Sequence, residues 1–317
     1  MTRHHRDLGN GISLIDSGYV RPQIAAFYAM VEAGGVAFFD TGTSHSLPRA
    51  VEFLHSRNLR PETVDFVIPT HVHLDHAGGA GAMMRAFPNA QLVVHPRGAQ
   101  HLIDPARLVQ GTVSVYGDEK TTALYGEIVP VPEQRVIVAA DEYQLEFRGR
   151  RLRFLDTPGH ARHHFCVFDP DYQGLFSGDT FGIAYPLFTT ENGPFLFPTT
   201  TPVQFEPDAL HTSVDRLAAL EAHTVYLTHF GPITPTPALV ADLHRHIDRF
   251  VELAEAAAGH HRPAELLELS IGEYLFDAVK RHGCRLSDAA IYDGLAMDVQ
   301  LNAQGVEVWL KRRSRSA

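Results

Sequence analysis

Cysteine is scarce in this chain, with Cys166 and Cys284 the two examples among 317 residues. They have no CxxC spacing and cannot form a disulfide framework, which fits a reducing compartment, so we expect a cytoplasmic protein. The N-terminal segment is polar and has no apolar h-region, which predicts that no signal peptide is present. No apolar run reaches the length needed to span a bilayer. Composition therefore argues against secreted disulfide-rich proteins and membrane-spanning proteins.

Basic residues are also in the minority. The chain has 27 Lys and Arg against 37 Asp and Glu, and its formal net charge is -10. An acidic balance argues against a broad phosphate-binding face, so we expect no nucleic-acid partner and no membrane partner. A small molecule is the expected substrate. Hydrophobic residues make up 44% of the chain, which is enough for a sizeable core.

Histidine, by contrast, is plentiful, and three of the 20 histidines lie close together in one short stretch, Pro69-Thr-His-Val-His-Leu-Asp-His-Ala-Gly-Gly79. Its ligand-type residues are His71, His73, Asp75 and His76. Buried without partners they would carry a large desolvation cost, which a divalent metal turns into a binding site. In an extended segment His71 and His73 point to the same side and can bind one metal. Asp75 and His76 lie just beyond, where they can reach a second metal. The spacing differs from that of the helical motif His-Glu-x-x-His.

Short apolar runs alternate with glycine- or proline-marked turns up to about residue 230. This pattern predicts two groups of strands with interspersed helices, and hence an α/β sandwich with the sheets inside. After Pro237 the composition shifts to Ala, Leu and Glu, and helices are predicted at 238–258, 263–282 and 286–301. We therefore divide the chain into an α/β domain, residues 1–235, and an α-helical C-terminal extension, residues 236–317. We expect His4 and His5 to lie in a frayed end, and residues 311–315 to form a solvated tail.

Three further ligand candidates, His160, Asp179 and His229, each follow an apolar strand and lie in a loop near glycine or proline. Loops of this kind present functional groups from a rigid scaffold. Taken singly, each has a plain structural interpretation, because an Asp after Ser-Gly is usually a turn or cap residue. Taken with the first cluster they complete two ligand sets. One set is His71, His73 and His160, the other is Asp75, His76 and His229, and Asp179 is predicted to bridge the two metals.

The order His71-x-His73-x-Asp75-His76, followed by His160, Asp179 and His229, resembles that of the metallo-β-lactamase fold superfamily. Asp40, in Phe38-Phe-Asp-Thr-Gly42, matches the superfamily's first motif, in which an aspartate supports the metal loop. The resemblance covers about residues 10–232. It implies an αββα sandwich of the metallo-β-lactamase type with the metals at one edge of the two sheets. Residues 1–235 would then form the catalytic domain, followed by the helical extension.

The residues at two candidate ligand positions argue against two branches of the superfamily. True β-lactamases of the fold commonly have a cysteine where Asp179 stands, and redox di-iron members have a glutamate where His73 stands, so neither activity is expected. The loop Thr157-Pro-Gly-His160-Ala-Arg-His-His164 is similar to that of glyoxalase II-like thioesterases and lactonases. In those proteins a second histidine often stands four residues after the ligand, as His164 does here. His163 replaces the glycine that usually precedes it.

The implied cofactors are two divalent metal ions. Zinc is expected, with iron or manganese as alternatives, because the His/Asp set suits all three. Two such ions that share a water lower its pKa from about 15.7 towards about 7, and the bridging hydroxide is then the nucleophile. Asp75 is predicted to orient this nucleophile or relay its proton. Asp40 and Thr70 are predicted to orient imidazole rings from behind.

Residues around these loops have alternative interpretations. Tyr185 either donates a hydrogen bond to the substrate oxyanion or packs at the rim of the pocket. His163 and His164 either line the pocket or have a structural role. The histidines that match no motif are expected to be ordinary surface or packing residues; they are His95, His101, His244 and His246.

Together these features predict a dinuclear metal-dependent hydrolase that acts on a small ester, thioester or lactone. One alternative is phosphodiesterase or phosphotriesterase action at the same site. Another is a metal-containing sensor or effector protein with little turnover. For the C-terminal helices three interpretations stay open: a lid over the pocket, a homodimer interface, or a surface for another partner.

Overall fold

The computed structural model of the chain describes residues 4–200 and 203–316. In these residues thirteen strands form two sheets, of order β1-β2-β3-β4-β5-β6-β7 and β13-β12-β11-β10-β9-β8. The strands are β1 (His5–Gly9), β2 (Ile12–Asp16), β3 (Ala26–Glu32), β4 (Gly35–Phe39), β5 (Val64–Ile68), β6 (Gln91–Val94), β7 (Val136–Val138), β8 (Gln144–Phe147), β9 (Arg150–Asp156), β10 (Phe165–Asp169), β11 (Gly174–Gly178), β12 (Thr224–Leu227) and β13 (Gly231–Ile233). The helices are α1 (Leu47–Ser56), α2 (Leu74–Ala77), α3 (Ala80–Ala86), α4 (Ala99–Ile103), α5 (Ala106–Tyr116), α6 (Asp118–Tyr125), α7 (Pro207–Ala218), α8 (Pro237–Ala256), α9 (Pro263–Arg281) and α10 (Asp288–Ser316).

The chain folds as two compact units. The described residues of the first unit fall within 1–156, 163–178 and 223–232, and those of the second within 157–162, 179–222 and 233–317. Both units are discontinuous in sequence, whereas the domain boundary predicted at residue 235 follows chain order. That boundary stays a prediction.

The first sheet changes from antiparallel to parallel pairing at β4. β1 to β4 are antiparallel neighbours, and β4 to β7 pair in parallel. The β3–β4 hairpin closes through Ala33 and Gly34, both with positive φ, between the paired residues Glu32 and Gly35. A two-residue loop with two positive φ angles matches the twist of the flanking strands and fixes their register. This register places Asp40 immediately beyond the end of β4.

The two sheets pack face to face through aromatic side chains. Phe39 of the first sheet stacks on Phe176 of the second, with ring centroids 3.7 Å apart and planes 1° apart. Tyr28 meets the same Phe176 ring edge-on at 5.7 Å. All three side chains are buried, and burial of large aromatic surface is a main source of stability in such a core. The opposite face of the first sheet packs on α1 and α3. There the ring centroid of Phe38, in β4, lies 5.6 Å from that of Phe87 and 6.3 Å from that of Phe53. The predicted α/β sandwich is therefore confirmed.

The N-terminal segment differs from the prediction. His5 begins β1 and pairs with Ile15 of β2 instead of fraying. Its ring lies edge-on to Phe53 at 5.5 Å, and its Nε2 is 3.2 Å from the Ser56 hydroxyl. The prediction of a frayed end is wrong because the backbone of β2 offers an unpaired edge, which a polar segment can pair with as well as an apolar one. Helices α4 to α6 were not anticipated.

The second unit contains α7 to α10. α9 and α10 pack through apolar residues at helical spacing, among them Ile271, Leu275, Ile291 and Leu295, all fully or almost fully buried. α10 continues to Ser316, so the predicted end at 301 is wrong. Residues 311–315 belong to this helix, and all of them except the partly buried Arg312 are exposed, as predicted. The apolar spacing extends through Val306 and Trp309, and near its end Arg312 donates to the Phe205 carbonyl at 2.9 Å. Among the described residues, no helix has both the length and the apolar character needed to cross a bilayer.

Candidate metal centre

The histidine cluster lies where parallel strands end. Asp40 directly follows β4, and the loop holding His71 and His73 directly follows β5. Because β4 and β5 are parallel, their carboxyl ends meet at one edge of the sheet, the usual position of ligand sites in such sheets. His73 precedes the short helix α2, which carries Asp75 and His76. His229 follows β12, a strand of the second sheet that pairs in parallel with β11.

Asp75, His76 and His229 form a compact group of ligand atoms. Each residue offers one potential metal-ligand atom, and these three atoms lie within 4.8 Å of one another. His76 Nε2 is 3.3 Å from His229 Nε2, and Asp75 Oδ2 is 3.4 Å from His229 Nε2 and 3.8 Å from His76 Nε2. The two imidazoles are almost completely buried, with side-chain exposures of 0% and 6%, whereas that of Asp75 is 22%. Asp75 is therefore the member of the group that faces solvent.

The partners behind the rings fix which nitrogen carries the proton. His229 Nδ1 is 2.8 Å from the Ile24 carbonyl, and His76 Nδ1 is 2.9 Å from Asp40 Oδ2. A carbonyl or carboxylate oxygen only accepts, so both Nδ1 atoms are donors, and in a neutral ring Nε2 then presents a lone pair. The group therefore directs two nitrogen lone pairs and one carboxylate at one another. Three acceptors converging at this distance fit a divalent cation, with the remote nitrogens held as in known metal sites.

Asp40 is the centre of the supporting network. Its Oδ1 accepts from the Thr70 backbone N–H at 2.7 Å and from the Thr70 hydroxyl at 2.9 Å. Its Oδ2 accepts from His76 Nδ1 and, at 2.6 Å, from the Thr228 hydroxyl. The side chain of Asp40 is 2% exposed, and its backbone φ is +58°, a conformation that Asp adopts more readily than most residues. One buried carboxylate thus joins the segments that follow β4, β5 and β12.

Thr70 extends this network to the next ring. Because its hydroxyl donates to Asp40, its oxygen is the acceptor for His71 Nδ1, 3.2 Å away. His71 Nε2 is then the lone-pair nitrogen, and it lies 2.8 Å from His73 Nδ1. Asp40 therefore orients His76 directly and His71 through Thr70.

His160 and Asp179 form the next part of the centre. His160 Nε2 is 3.4 Å from Asp179 Oδ2, and its Nδ1 is 3.0 Å from the Thr199 carbonyl, which makes Nε2 the lone-pair nitrogen again. His71, His73, His160 and Asp179 each offer one ligand atom, and these atoms lie within 4.8 Å of one another. The structure thus brings the seven predicted ligands into two groups. Asp179 belongs to the group of four, and its bridging role stays a prediction.

His163 and His164 flank the histidine loop. The His164 ring lies 4.8 Å from that of His71, and the His163 ring lies 5.6 Å from that of His73. Gly178 allows this packing, because a Cβ there would lie 2.5 Å from His164 Nε2 and 2.6 Å from Thr70 Oγ1. His164 and Thr70, the residue that orients His71, therefore both border Gly178.

Tyr185 lies in the segment between β11 and α7. Its side chain is almost completely buried, and its hydroxyl donates to Asp298 Oδ1 of α10 at 3.2 Å. A hydroxyl has one proton to donate, so the predicted bond to a substrate oxyanion would require it to leave Asp298. That role stays a prediction. The alternative, packing at the rim of the pocket, also stays a prediction.

Sequence reasoning missed several supporting groups. Thr228 could have been identified, since it directly precedes His229 and a hydroxyl next to a ligand is a common supporting partner. The carbonyls of Ile24 and Thr199 carry no sequence signal, because every residue has one. His95, expected to be an ordinary residue, is buried with Nε2 3.0 Å from Asp156 Oδ1, a pair with no place in the two ligand groups.

Comparisons with known proteins agree with this geometry. The profile of the metallo-beta-lactamase superfamily matches residues 20–229. The metallo-beta-lactamase fold-containing protein ST1585 of Sulfurisphaera tokodaii is 29% identical over 230 residues, which are 71% of this chain and 80% of that protein. A hydroxyacylglutathione hydrolase of Aeromonas hydrophila is 28% identical over 167 residues, 52% of this chain and 48% of the relative.

Solved structures show the same fold. The metallo-beta-lactamase family protein TTHA1429 of Thermus thermophilus aligns with a TM-score of 0.64 at 23% identity, covering 92% of this chain and 95% of that one. A beta-lactamase domain protein of Burkholderia ambifaria aligns with a TM-score of 0.65 at 16% identity, covering 98% and 88%. The family match spans most of the sandwich and all seven ligand candidates. This chain belongs to the metallo-β-lactamase superfamily and is a metal-dependent hydrolase of that family.

Proposed function

We propose that the chain is a dinuclear hydrolase of small esters, thioesters or lactones, with one divalent ion at each ligand group. The observation that carries this proposal is the set of orientations of the imidazoles. His71, His76, His160 and His229 each have Nδ1 beside an oxygen and Nε2 directed at other ligand atoms. Metal-ligating histidines almost always share this arrangement, in which the remote nitrogen donates to an oxygen and the other nitrogen faces the metal. Zinc suits a set of nitrogen and carboxylate ligands, as do iron and manganese.

The roles of the protein groups follow from their positions. Divalent ions in these groups supply Lewis acidity and lower the pKa of a water to about 7. Asp75, the solvent-facing carboxylate, orients the attacking water and accepts its proton. The carbonyls of Ile24 and Thr199 and the carboxylate of Asp40 hold the imidazoles in the metal-binding tautomer. Because these supports are buried, the rings need little rearrangement when substrate binds.

The substrate class is supported by the relatives and by one loop. One relative is a hydroxyacylglutathione hydrolase. Another is an atrochrysone carboxyl ACP thioesterase of Aspergillus fumigatus, 30% identical over 117 residues, which are 37% of this chain and 27% of that protein. The chain spans about a quarter to a half of these two relatives, so their activities are a guide to bond type alone. The loop from His160 to His164 is of the kind found in thioesterases and lactonases of the fold.

The test is a substrate panel run with protein reconstituted with zinc, manganese or iron. Esters, thioesters and lactones are assayed beside bis(p-nitrophenyl) phosphate, each with wild type, His229→Ala and Asp156→Asn. The proposal expects turnover of a carbonyl substrate, its loss in His229→Ala together with bound metal, and wild-type turnover in Asp156→Asn. Faster turnover of the phosphodiester than of any carbonyl substrate would favour phosphodiesterase action instead. A protein that binds no metal would contradict both.

A further inference from the structure

A second group of histidines lies in the second unit, where α7 and α8 pack together. His211 and Asp215 are four residues apart on α7, and His244 and Asp248 are four residues apart on α8, so each pair shares one helix face. The pairs are crossed. His211 Nε2 is 3.0 Å from Asp248 Oδ1, and His244 Nε2 is 3.0 Å from Asp215 Oδ1. Each helix therefore contributes one imidazole and the carboxylate behind the other imidazole.

The two rings face each other through their remaining nitrogens. His211 Nδ1 is 2.6 Å from His244 Nδ1, and the ring planes are 11° apart. Because the carboxylates only accept, both Nε2 atoms carry hydrogens, and in neutral rings both Nδ1 atoms present lone pairs. Two lone pairs this close repel unless a positive species lies with them. The arrangement repeats the one at His76 and His229, whose Nε2 atoms are 3.3 Å apart and whose Nδ1 atoms are held by oxygens.

We propose that His211 and His244 form a separate binding site for one divalent transition-metal ion, which joins α7 to α8. Two neutral imidazoles suit Zn²⁺, Cu²⁺ and Ni²⁺. Each imidazole has a carboxylate on its other nitrogen, the pattern that orients metal-binding histidines and raises their basicity. The side chains are 26% and 23% exposed, so an ion enters from solvent and water completes its coordination.

The site needs a small adjustment to accept a metal. Zinc binds imidazole nitrogen at about 2.0–2.1 Å, so two nitrogens on a tetrahedral ion lie about 3.3 Å apart. The rings must therefore separate by about 0.7 Å and turn so that both lone pairs point at the ion, which side-chain rotations of partly exposed residues supply. Asp215 and Asp248 are 71% and 65% exposed and can follow the rings. The site is independent of the proposed hydrolytic function, since its four residues belong to neither ligand group of the catalytic centre.

Equilibrium dialysis of the full-length protein against Zn²⁺, followed by elemental analysis, tests the site. Wild type is expected to bind one equivalent more than His244→Gln. Asp248→Asn, which alters an exposed carboxylate and leaves both rings in place, is expected to bind this equivalent 10–100-fold more weakly. The control is His260→Gln, since His260 and His261 are exposed adjacent histidines with ring centroids 4.3 Å apart.

Circular dichroism and the zinc retained at the catalytic centre show whether His244→Gln is folded. Equal zinc content in wild type and folded His244→Gln overturns the proposal. If His244→Gln does not fold, Asp248→Asn decides the question. Unchanged affinity for every zinc equivalent overturns the proposal, and weaker binding of the last equivalent supports it. Loss of an equivalent in His260→Gln would also overturn it, because the ion would then be bound by any pair of surface histidines.

Discussion

Replacement of Asp40 by asparagine removes one charge from the supporting network and changes little else. All four groups that contact the Asp40 carboxylate are donors: the Thr70 amide, the hydroxyls of Thr70 and Thr228, and His76 Nδ1. Asparagine offers one acceptor oxygen and one NH₂ donor. It also tolerates the left-handed φ of +58° at this position. The backbone conformation should therefore persist. The NH₂ group of the asparagine, itself a donor, would face two of the four donors that contact Asp40.

The effect on metal binding follows from the tautomer of His76. If the NH₂ group replaces Oδ2, His76 Nδ1 must become the acceptor, and the ring proton moves to Nε2. Nε2 is the atom that faces His229 and Asp75, so its lone pair is lost to the metal. If the amide is flipped, the NH₂ group instead faces the backbone N–H and hydroxyl of Thr70. The Thr70 hydroxyl must then donate to His71 Nδ1, which moves the ring proton of His71 to Nε2. Loss of such a partner lowers metal affinity about 10–100-fold, or about 1.4–2.7 kcal/mol.

The assay is competition for zinc between the protein and a chromogenic chelator, with thermal melts of the metal-free protein run in parallel. Asp40→Asn should also lower the free energy of unfolding by about 1.5–3 kcal/mol, the typical value of a hydrogen bond to a buried charged group. Asp156→Asn is the matched control, because Asp156 also contacts a histidine, His95, at 3.0 Å outside both ligand groups. Wild-type zinc affinity in Asp40→Asn would refute the tautomer argument.

Three further predictions concern packing and pH. Gly178→Ala places a Cβ against His164 and Thr70 and should weaken zinc binding at least tenfold in the chelator assay; unchanged affinity would contradict the close packing. Phe176→Ala should lower the free energy of unfolding by about 3–5 kcal/mol, measured by urea denaturation, and a loss below 1 kcal/mol would contradict its central place. Burial lowers the pKa of His246 from 6.5 to about 4, so the unfolded chain takes up its proton first. Stability should therefore fall by about 3 kcal/mol between pH 6.5 and pH 4, and His246→Gln should show a shallower fall over the same range.

The convergence of the candidate ligands could be predicted because these residues combine two independent signals. Each of the segments holding His71, His160 and His229 follows a strand, and each places a candidate ligand within five residues of the strand end. Parallel pairing of β4 with β5 and of β11 with β12 brings the carboxyl ends of each pair to one edge of its sheet. Asp40 carried a weaker signal, since a single Asp after a strand is ordinary until its partners are known.

Several other features depended on contacts between segments that are distant in the sequence. His244 matches no motif, and its relation to His211 arises only when α7 and α8 pack. The pairing of β1 depends on an open strand edge, which its own polar sequence does not reveal. The tail after 301 has a mixed composition, and its helix is stabilised by Arg312 on the chain near Phe205. Long-range contacts therefore decided the pairing of His211 with His244 and the pairing of β1.

The central claim is that each ligand group holds one divalent ion. Anomalous X-ray diffraction at the zinc edge, from crystals of zinc-loaded protein, tests it directly. We predict one peak among His71, His73, His160 and Asp179, and a second among Asp75, His76 and His229. The absence of a peak from either group, with zinc present in the crystal, would contradict the account.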